Sequence, residues 1–251
     1  MPFTVSHAAA VLPIHALSKH RLPLTALMIG SMAPDFGYFF SHDFSRQLTH
    51  SFAGLFIFAL PAGLAVWLFY VAVLEKATIT LLSDRWHTRF AHTDPLTAPL
   101  IGRACIAIVL GAITHIVWDA FTHRGTFVTD AIAVLRGPTP GFSWLPMYHL
   151  LHGLSSVVGL VILAHWARGL HRLPARSLIR PYKISGRARI GALWFLLAGS
   201  VIVGLLHWLP YTHRRYDAQF FSAAVGVMSG FFIAWCCIAI AMRIKARRAA
   251  K

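Results

Sequence analysis

Five apolar runs, each about as long as a bilayer core is thick, constrain this chain more than any other feature: residues 51–74, 100–121, 149–167, 190–209 and 218–242. A segment crossing hydrocarbon must satisfy its own backbone and, as a helix, needs about 20 apolar residues. A sixth run, 22–40 (LPLTALMIGSMAPDFGYFF), is long enough but holds Pro34 and Asp35. Proline lacks a backbone donor and clashes with the preceding turn, so this run must kink or end there. Residues 8–17 are apolar but too short to span. The expected fold is therefore all-α, a polytopic membrane helix bundle of about six transmembrane helices plus a short N-terminal interfacial or re-entrant helix. Only 12% of the residues are charged, against about 25% in soluble domains, and no stretch is polar enough to stand as a soluble domain. Residues 1–251 read as a single membrane domain, with a C-terminal helical pair at 190–242.

The formal charge of +15 does not point to nucleic acid, because Lys and Arg lie in short segments between apolar runs, as the positive-inside rule arranges them. With six spans and the C-terminus inside, 18 basic residues fall on the cytoplasmic side and five outside, namely Arg46, Arg124, Arg136, Arg214 and Arg215. The basic loop 168–189 is in its plain reading a topogenic signal, and it also suits anionic lipid, so membrane lipids are expected partners. Cys105, Cys236 and Cys237 lie within apolar runs and form no CxxC pair. Residues 1–17 lack a basic n-region, so no cleavable signal peptide is expected. Gly226 and Gly230 form a GxxxG, which permits close helix packing within the chain or between chains.

Ionisable groups inside membrane spans are costly and by default mark function. Here they cluster. The run 100–121 ends in THIVWDAFTH, which sets His115, Asp119 and His123 at i, i+4 and i+8. That spacing stacks imidazole, carboxylate and imidazole on one helix face. In the topology above, Asp35, His50, His149 and His152 all fall at the same outer level. His and Asp together supply nitrogen and oxygen ligands for zinc, with manganese or iron as alternatives. A divalent metal shared by Asp35, His50, His115 and Asp119 would also neutralise carboxylates that are costly at the edge of hydrocarbon. The plain alternative is a hydrogen-bonded His115–Asp119 pair joining helices, with Asp35 capping a helix end. His42, His92 and His213 read as solvated. His7 is ambiguous: were 22–40 to span, the N-terminus would start on the wrong side, unless its first residues dip back into the membrane.

The segments MPFTVSHAAAVLP at 1–13, GSMAPDF at 30–36, THS at 49–51, HIVWDAFTH at 115–123 and LSSVVG at 154–159 resemble the DUF4184 family of bacterial membrane proteins. The likeness covers most of residues 1–165, the metal-site part. That family is in turn similar to membrane-bound metal-dependent hydrolases of the DUF457 type, and both resemble zinc-dependent phospholipase C in a looser pattern. The resemblance implies metal ligation by His7, Asp35, His50, His115 and Asp119, with His123 a ligand or proton donor. It also implies a bacterial cytoplasmic membrane. One departure is His152-Gly153, where the family tends to show Gln-His before Leu-Ser-Ser.

The function expected from these readings is a metal-dependent hydrolase of phosphoesters, such as phospholipid or lipid-linked phosphate, at the outer face of the cytoplasmic membrane. A two- or three-metal site would activate water and clamp the reacting oxygens. His123 or His152 would handle the proton. The runner-up is a non-enzymatic accessory subunit of a larger membrane complex with a structural metal. A transporter is disfavoured, since few polar groups continue into the inner halves of the spans.

Overall fold

The computed structural model describes residues 3–40, 45–82, 96–170, 181–214 and 216–249. His42, His92 and the middle of the basic loop, residues 171–180, lie outside the described residues.

Among the described residues, five helices are long and apolar enough to cross a membrane: α1 (Phe52–Leu81), α2 (Ala98–Thr122), α3 (Met147–Leu170), α4 (Gly186–Trp208) and α5 (Tyr216–Ala249). The 25 residues of α2 rise about 37 Å at ~1.5 Å each, more than the ~30 Å hydrocarbon core. Much of the apolar surface of these helices faces outward, Val157, Val161, Leu193 and Ile202 among it. Such a surface would drive a soluble protein to aggregate and is what a bilayer requires.

The run 22–40 does not form a sixth span. It folds as a helix Leu24–Gly30 followed by a 3-10 helix Ala33–Phe39, with the break at Ser31–Met32, just ahead of Pro34, whose ring and missing donor bar an α-helix from running through it. The N-terminal segment Thr4–Leu17 is a short apolar helix, 3-10 over Thr4–Val11. Among the described residues, sheet is confined to a two-stranded hairpin, Pro138–Thr139 against Phe142–Pro146, whose turn takes Gly141 to φ +80°.

The described chain forms two compact units. The first comprises residues 1–67 and 94–172. In it, α2 packs backbone to backbone on the helix Leu24–Gly30. A Cβ on Gly111 would meet Ser31 N at 2.6 Å and Gly30 C at 2.9 Å, and one on Gly30 would strike the Ile108 backbone. Glycine is required at both positions for this approach. Gly159 of α3 makes an equally close approach to Ser6, and Ser156 accepts a hydrogen bond from the Phe3 amide at 3.1 Å. The N-terminal 3-10 helix is thereby clamped to α3, with His7 buried. In α1 the chain widens to a π turn over Leu55–Ala59, just before Pro61. A proline ring clashes with the carbonyl four residues back, and the wider turn relieves it.

The second unit comprises residues 68–93 and 173–251. Here α4 and α5 pack antiparallel, with Gly199 against Gly230 and Gly204 against Gly226. The GxxxG of α5 is thus used within the chain. Ser222 donates to the His207 carbonyl at 2.6 Å, and Arg189 Nε donates to the Leu81 carbonyl at 2.9 Å.

Candidate metal centre

Every candidate site residue of the sequence lies in the first unit, and four elements deliver five of them to one buried point. His7 comes from the N-terminal 3-10 helix and Asp35 from Ala33–Phe39. His50 follows the short helix Arg46–Thr49, and His115 and Asp119 lie one turn apart on α2. His7, Asp35, His115 and Asp119 are each no more than 2% exposed.

The orientation of each ring follows from its neighbours. His115 Nδ1 lies 2.8 Å from the Ser31 carbonyl oxygen. A carbonyl only accepts, so Nδ1 carries a proton, and in the neutral ring that a metal binds Nε2 carries the lone pair. The Gly111 contact one turn earlier is what brings Ser31 to this ring. His50 Nδ1 lies 2.8 Å from the Thr49 hydroxyl, whose own proton can go to the Arg46 carbonyl at 3.5 Å. With Nδ1 then protonated, His50 Nε2 carries a lone pair; in the other tautomer, the Thr49 hydroxyl donates to Nδ1 and Nε2 donates to His115 Nε2.

These two nitrogens face each other at 3.2 Å. Asp35 Oδ1 is 3.4 Å from His50 Nε2 and 3.5 Å from His115 Nε2. Asp119 Oδ2 is 3.4 Å and 3.6 Å from the same two atoms. Donors bound at ~2.0–2.1 Å to one tetrahedral ion lie about 3.3 Å apart. Lone pairs and carboxylate oxygens at this range repel one another unless positive charge lies among them. A metal ion meets that need, as would protons shared by the imidazoles.

The surroundings fix the carboxylates. Thr4 donates its hydroxyl hydrogen to Asp35 Oδ2 at 2.8 Å, which leaves Oδ1 toward the imidazoles. Arg46 Nη2 donates to Asp119 Oδ2 at 2.9 Å, while Asp119 Oδ1 faces His7 Nε2 at 3.6 Å. His7 stacks on His115 with ring centroids 3.9 Å apart. Burial, with His115 beside it, pushes His7 down to about 3, so it stands neutral, as a ligand must. Burial opposes the charge on Asp35, but the His115 and His50 imidazoles outweigh it and hold the carboxyl below the usual range.

Among the described residues, six of the seven buried side-chain polar atoms without a hydrogen-bond partner belong to this cluster: both nitrogens of His7, Asp35 Oδ1, Asp119 Oδ1, Arg46 Nε and His123 Nε2. Each such group costs about 1–3 kcal/mol when left unmade, and their concentration at one point is what a missing ligand leaves. Two overlapping groups, Asp35–His50–His115 and His7–His115–Asp119, could hold a metal ion. Both draw on His115, whose only free ring nitrogen is Nε2. One nitrogen serves one ion, so His115 completes only one of these two groups at a time.

His123 and His152 lie beside the cluster. His123 Nδ1 is surrounded by acceptors, the Asp119 carbonyl and Thr122 hydroxyl at 3.2 Å and Asp119 Oδ2 at 3.5 Å. Its proton therefore sits on Nδ1, and the buried Nε2 keeps a lone pair. The His152 ring is 5.3 Å from that of His123, and His149 stands a further 5.8 Å beyond His152. His152 and His149 supply no member of either metal group.

Sequence reasoning missed Arg46, Thr4 and the Ser31 carbonyl. Arg46 entered only as an outer-side charge, although it precedes His50 by four residues, the same spacing that drew attention to His115 and Asp119. The Ser31 carbonyl has no sequence signal, because any residue type presents one.

Neither the curated proteins nor the solved structures include a match to this chain. A family model, that of a domain of unknown function (DUF4184), matches residues 1–241. With nearly its whole length matched, the chain belongs to the DUF4184 family.

Proposed function

We propose that this protein is a membrane-bound metal-dependent hydrolase of phosphoesters, working at the outer face of the cytoplasmic membrane. The observation that carries the reading is the pair of imidazole nitrogens of His50 and His115, 3.2 Å apart, with Asp35 Oδ1 and Asp119 Oδ2 each 3.4–3.6 Å from both of them. Zinc fits that donor set and spacing, and manganese or iron accept the same ligands. The likeness of the His and Asp motifs to membrane-bound metal-dependent hydrolases supports the reaction class.

A divalent ion here supplies Lewis acidity, bringing the pKa of a water it holds toward about 7. The chain's own groups do the rest. The Ser31 carbonyl and Thr49 hydroxyl hold the two imidazoles in the donating tautomer, and Thr4 holds Asp35. His123 Nε2 accepts the proton as the water oxygen bonds to phosphorus. The same proton passes to the leaving alcohol oxygen as its bond to phosphorus breaks. His152, edge-on to His123, lies where that proton could be exchanged.

The helix count supports the outer face. With five spans the termini lie on opposite sides, and the basic tail 243–251 favours the cytoplasm for the C-terminus. Residues 1–50 then lie outside with the metal centre, and His7 needs no separate explanation.

A second reading is a structural ion in an accessory subunit of a larger membrane complex. The four-donor count favours it, because a filled tetrahedral shell marks structural zinc sites. Against it stands the likeness of the His and Asp motifs to metal-dependent hydrolases; the hydrogen bond of Arg46 to Asp119 Oδ2 at 2.9 Å uses one lone pair of that oxygen and leaves another for an ion. The test is turnover of phosphomonoesters and phosphodiesters by zinc-loaded protein in detergent or vesicles. Turnover above a metal-stripped control supports the hydrolase. Equal rates with and without metal, across both ester types, leave the structural reading.

A further inference from the structure

Among the described residues, Arg46 is the arginine or lysine that contacts the centre, and its bonding is incomplete. Its Nη2 binds Asp119 Oδ2 at 2.9 Å, and its Nε is buried with no hydrogen-bond partner. The side chain is 32% exposed, so it reaches from the buried cluster to the protein surface. A guanidinium presents five N–H donors in a planar fork matched to two oxygens of one anion. A buried Nε that donates to nothing is a position kept for an acceptor, since leaving it unfilled is costly. The carboxylate that Arg46 now holds is the one the ion would also draw on, and a carboxylate bound by an ion releases part of its claim on the arginine.

We infer that Arg46 is the substrate-binding residue of this centre, receiving a non-bridging oxygen of an anionic phosphoryl group beside the metal. The inference rests on the hydrolase reading and deepens it by naming the substrate's charge. Arg46 stabilises a substrate bearing at least one negative oxygen at the reacting atom and gives nothing to a neutral carboxylic ester. Arg46 Nη2 keeps Asp119 oriented while Nε donates to the phosphoryl oxygen. No other cationic side chain contacts the donor set among the described residues.

The experiment titrates inorganic phosphate into zinc-loaded, detergent-purified full-length protein, comparing wild type with Arg46→Ala and Arg46→Lys. Metal content is measured on the same samples. Arg46→Ala is expected to keep its metal and weaken phosphate binding about 10- to 100-fold, the range for losing a hydrogen bond to a charged group. Arg46→Lys, which keeps the charge but not the fork, is expected between the two. Hydrolysis of a phosphodiester should fall in parallel. Equal phosphate affinity in wild type and a metal-loaded Arg46→Ala overturns this inference alone. A wild type that holds no metal after loading overturns the hydrolase reading and this inference with it. Should Arg46→Ala fail to fold, Arg46→Lys decides: phosphate affinity equal to wild type overturns the inference, and a loss of several-fold or more supports it.

Discussion

Substituting Gly111 by alanine tests whether the centre is held by backbone packing rather than by its ligands alone. The added Cβ would sit 2.6 Å from Ser31 N and 2.9 Å from Gly30 C, with the Leu27 carbonyl closer still. Ordinary contact needs ~3.5 Å or more, so α2 and the helix Leu24–Gly30 must part by nearly an ångström. The His115 Nδ1 to Ser31 bond, 2.8 Å long, would stretch to the limit of a useful hydrogen bond. Overpacking of this kind typically costs about 1–3 kcal/mol in stability. Loss of a bond that orients a metal ligand typically lowers metal affinity about 10- to 100-fold. Gly102→Ala is the control, on the same helix with nothing within 4 Å of the new Cβ. It should leave affinity unchanged and slightly raise helix stability. Metal affinity is read by chelator competition and stability by thermal melts in detergent. Wild-type metal affinity in Gly111→Ala would refute the reasoning, because the glycine contact would then not be what positions His115.

His123→Ala should retain bound metal yet lower phosphoester turnover by about 10²–10⁴-fold, the usual effect of losing a general acid or base; metal loss in this variant would move His123 into the ligand set. Metal-free protein should lose stability as pH falls from about 6.5 toward about 3, because unfolding lets His7 take up a proton that the fold refuses, its folded value being about 3 against an unfolded value of about 6.5. The lowered carboxyl of Asp35 acts in the same direction below its unfolded pKa. A melting temperature unchanged between neutral pH and pH 4 would contradict both. A reporter fused after Lys251 should read cytoplasmic and one inserted near Thr139 should read periplasmic; the reverse at both points would invert the membrane placement of the centre.

The spans were legible because hydrocarbon imposes one rule on every residue of a run, and α2 to α5 follow the apolar runs closely. The run 22–40 was harder. Its length argued for a span, and only Pro34 and Asp35 argued otherwise; their effect depends on the Gly30 and Gly111 contact that lets the shorter helix pack on α2. That same outcome explains His7, which looked misplaced while 22–40 was read as crossing. The column His115, Asp119, His123 was readable from helical spacing, and a shared outer level was enough to join Asp35 and His50 to it. Arg46, Thr4 and Ser31 were not, since their roles arise from tertiary approach: a hydroxyl, a carbonyl and a guanidinium aimed at atoms 31 to 84 residues away in sequence.

The central claim is that the positive charge among the four donors is a metal ion and not a set of shared protons. Elemental analysis of purified wild-type protein, beside His115→Ala and Asp35→Asn, tests it most directly. The account expects at least one transition metal per chain, held by imidazole and carboxylate donors, and its loss from both variants while they remain folded. A wild type free of transition metal after zinc loading and desalting, with cluster and fold intact, would contradict it and leave a buried network of protonated imidazoles and carboxylates.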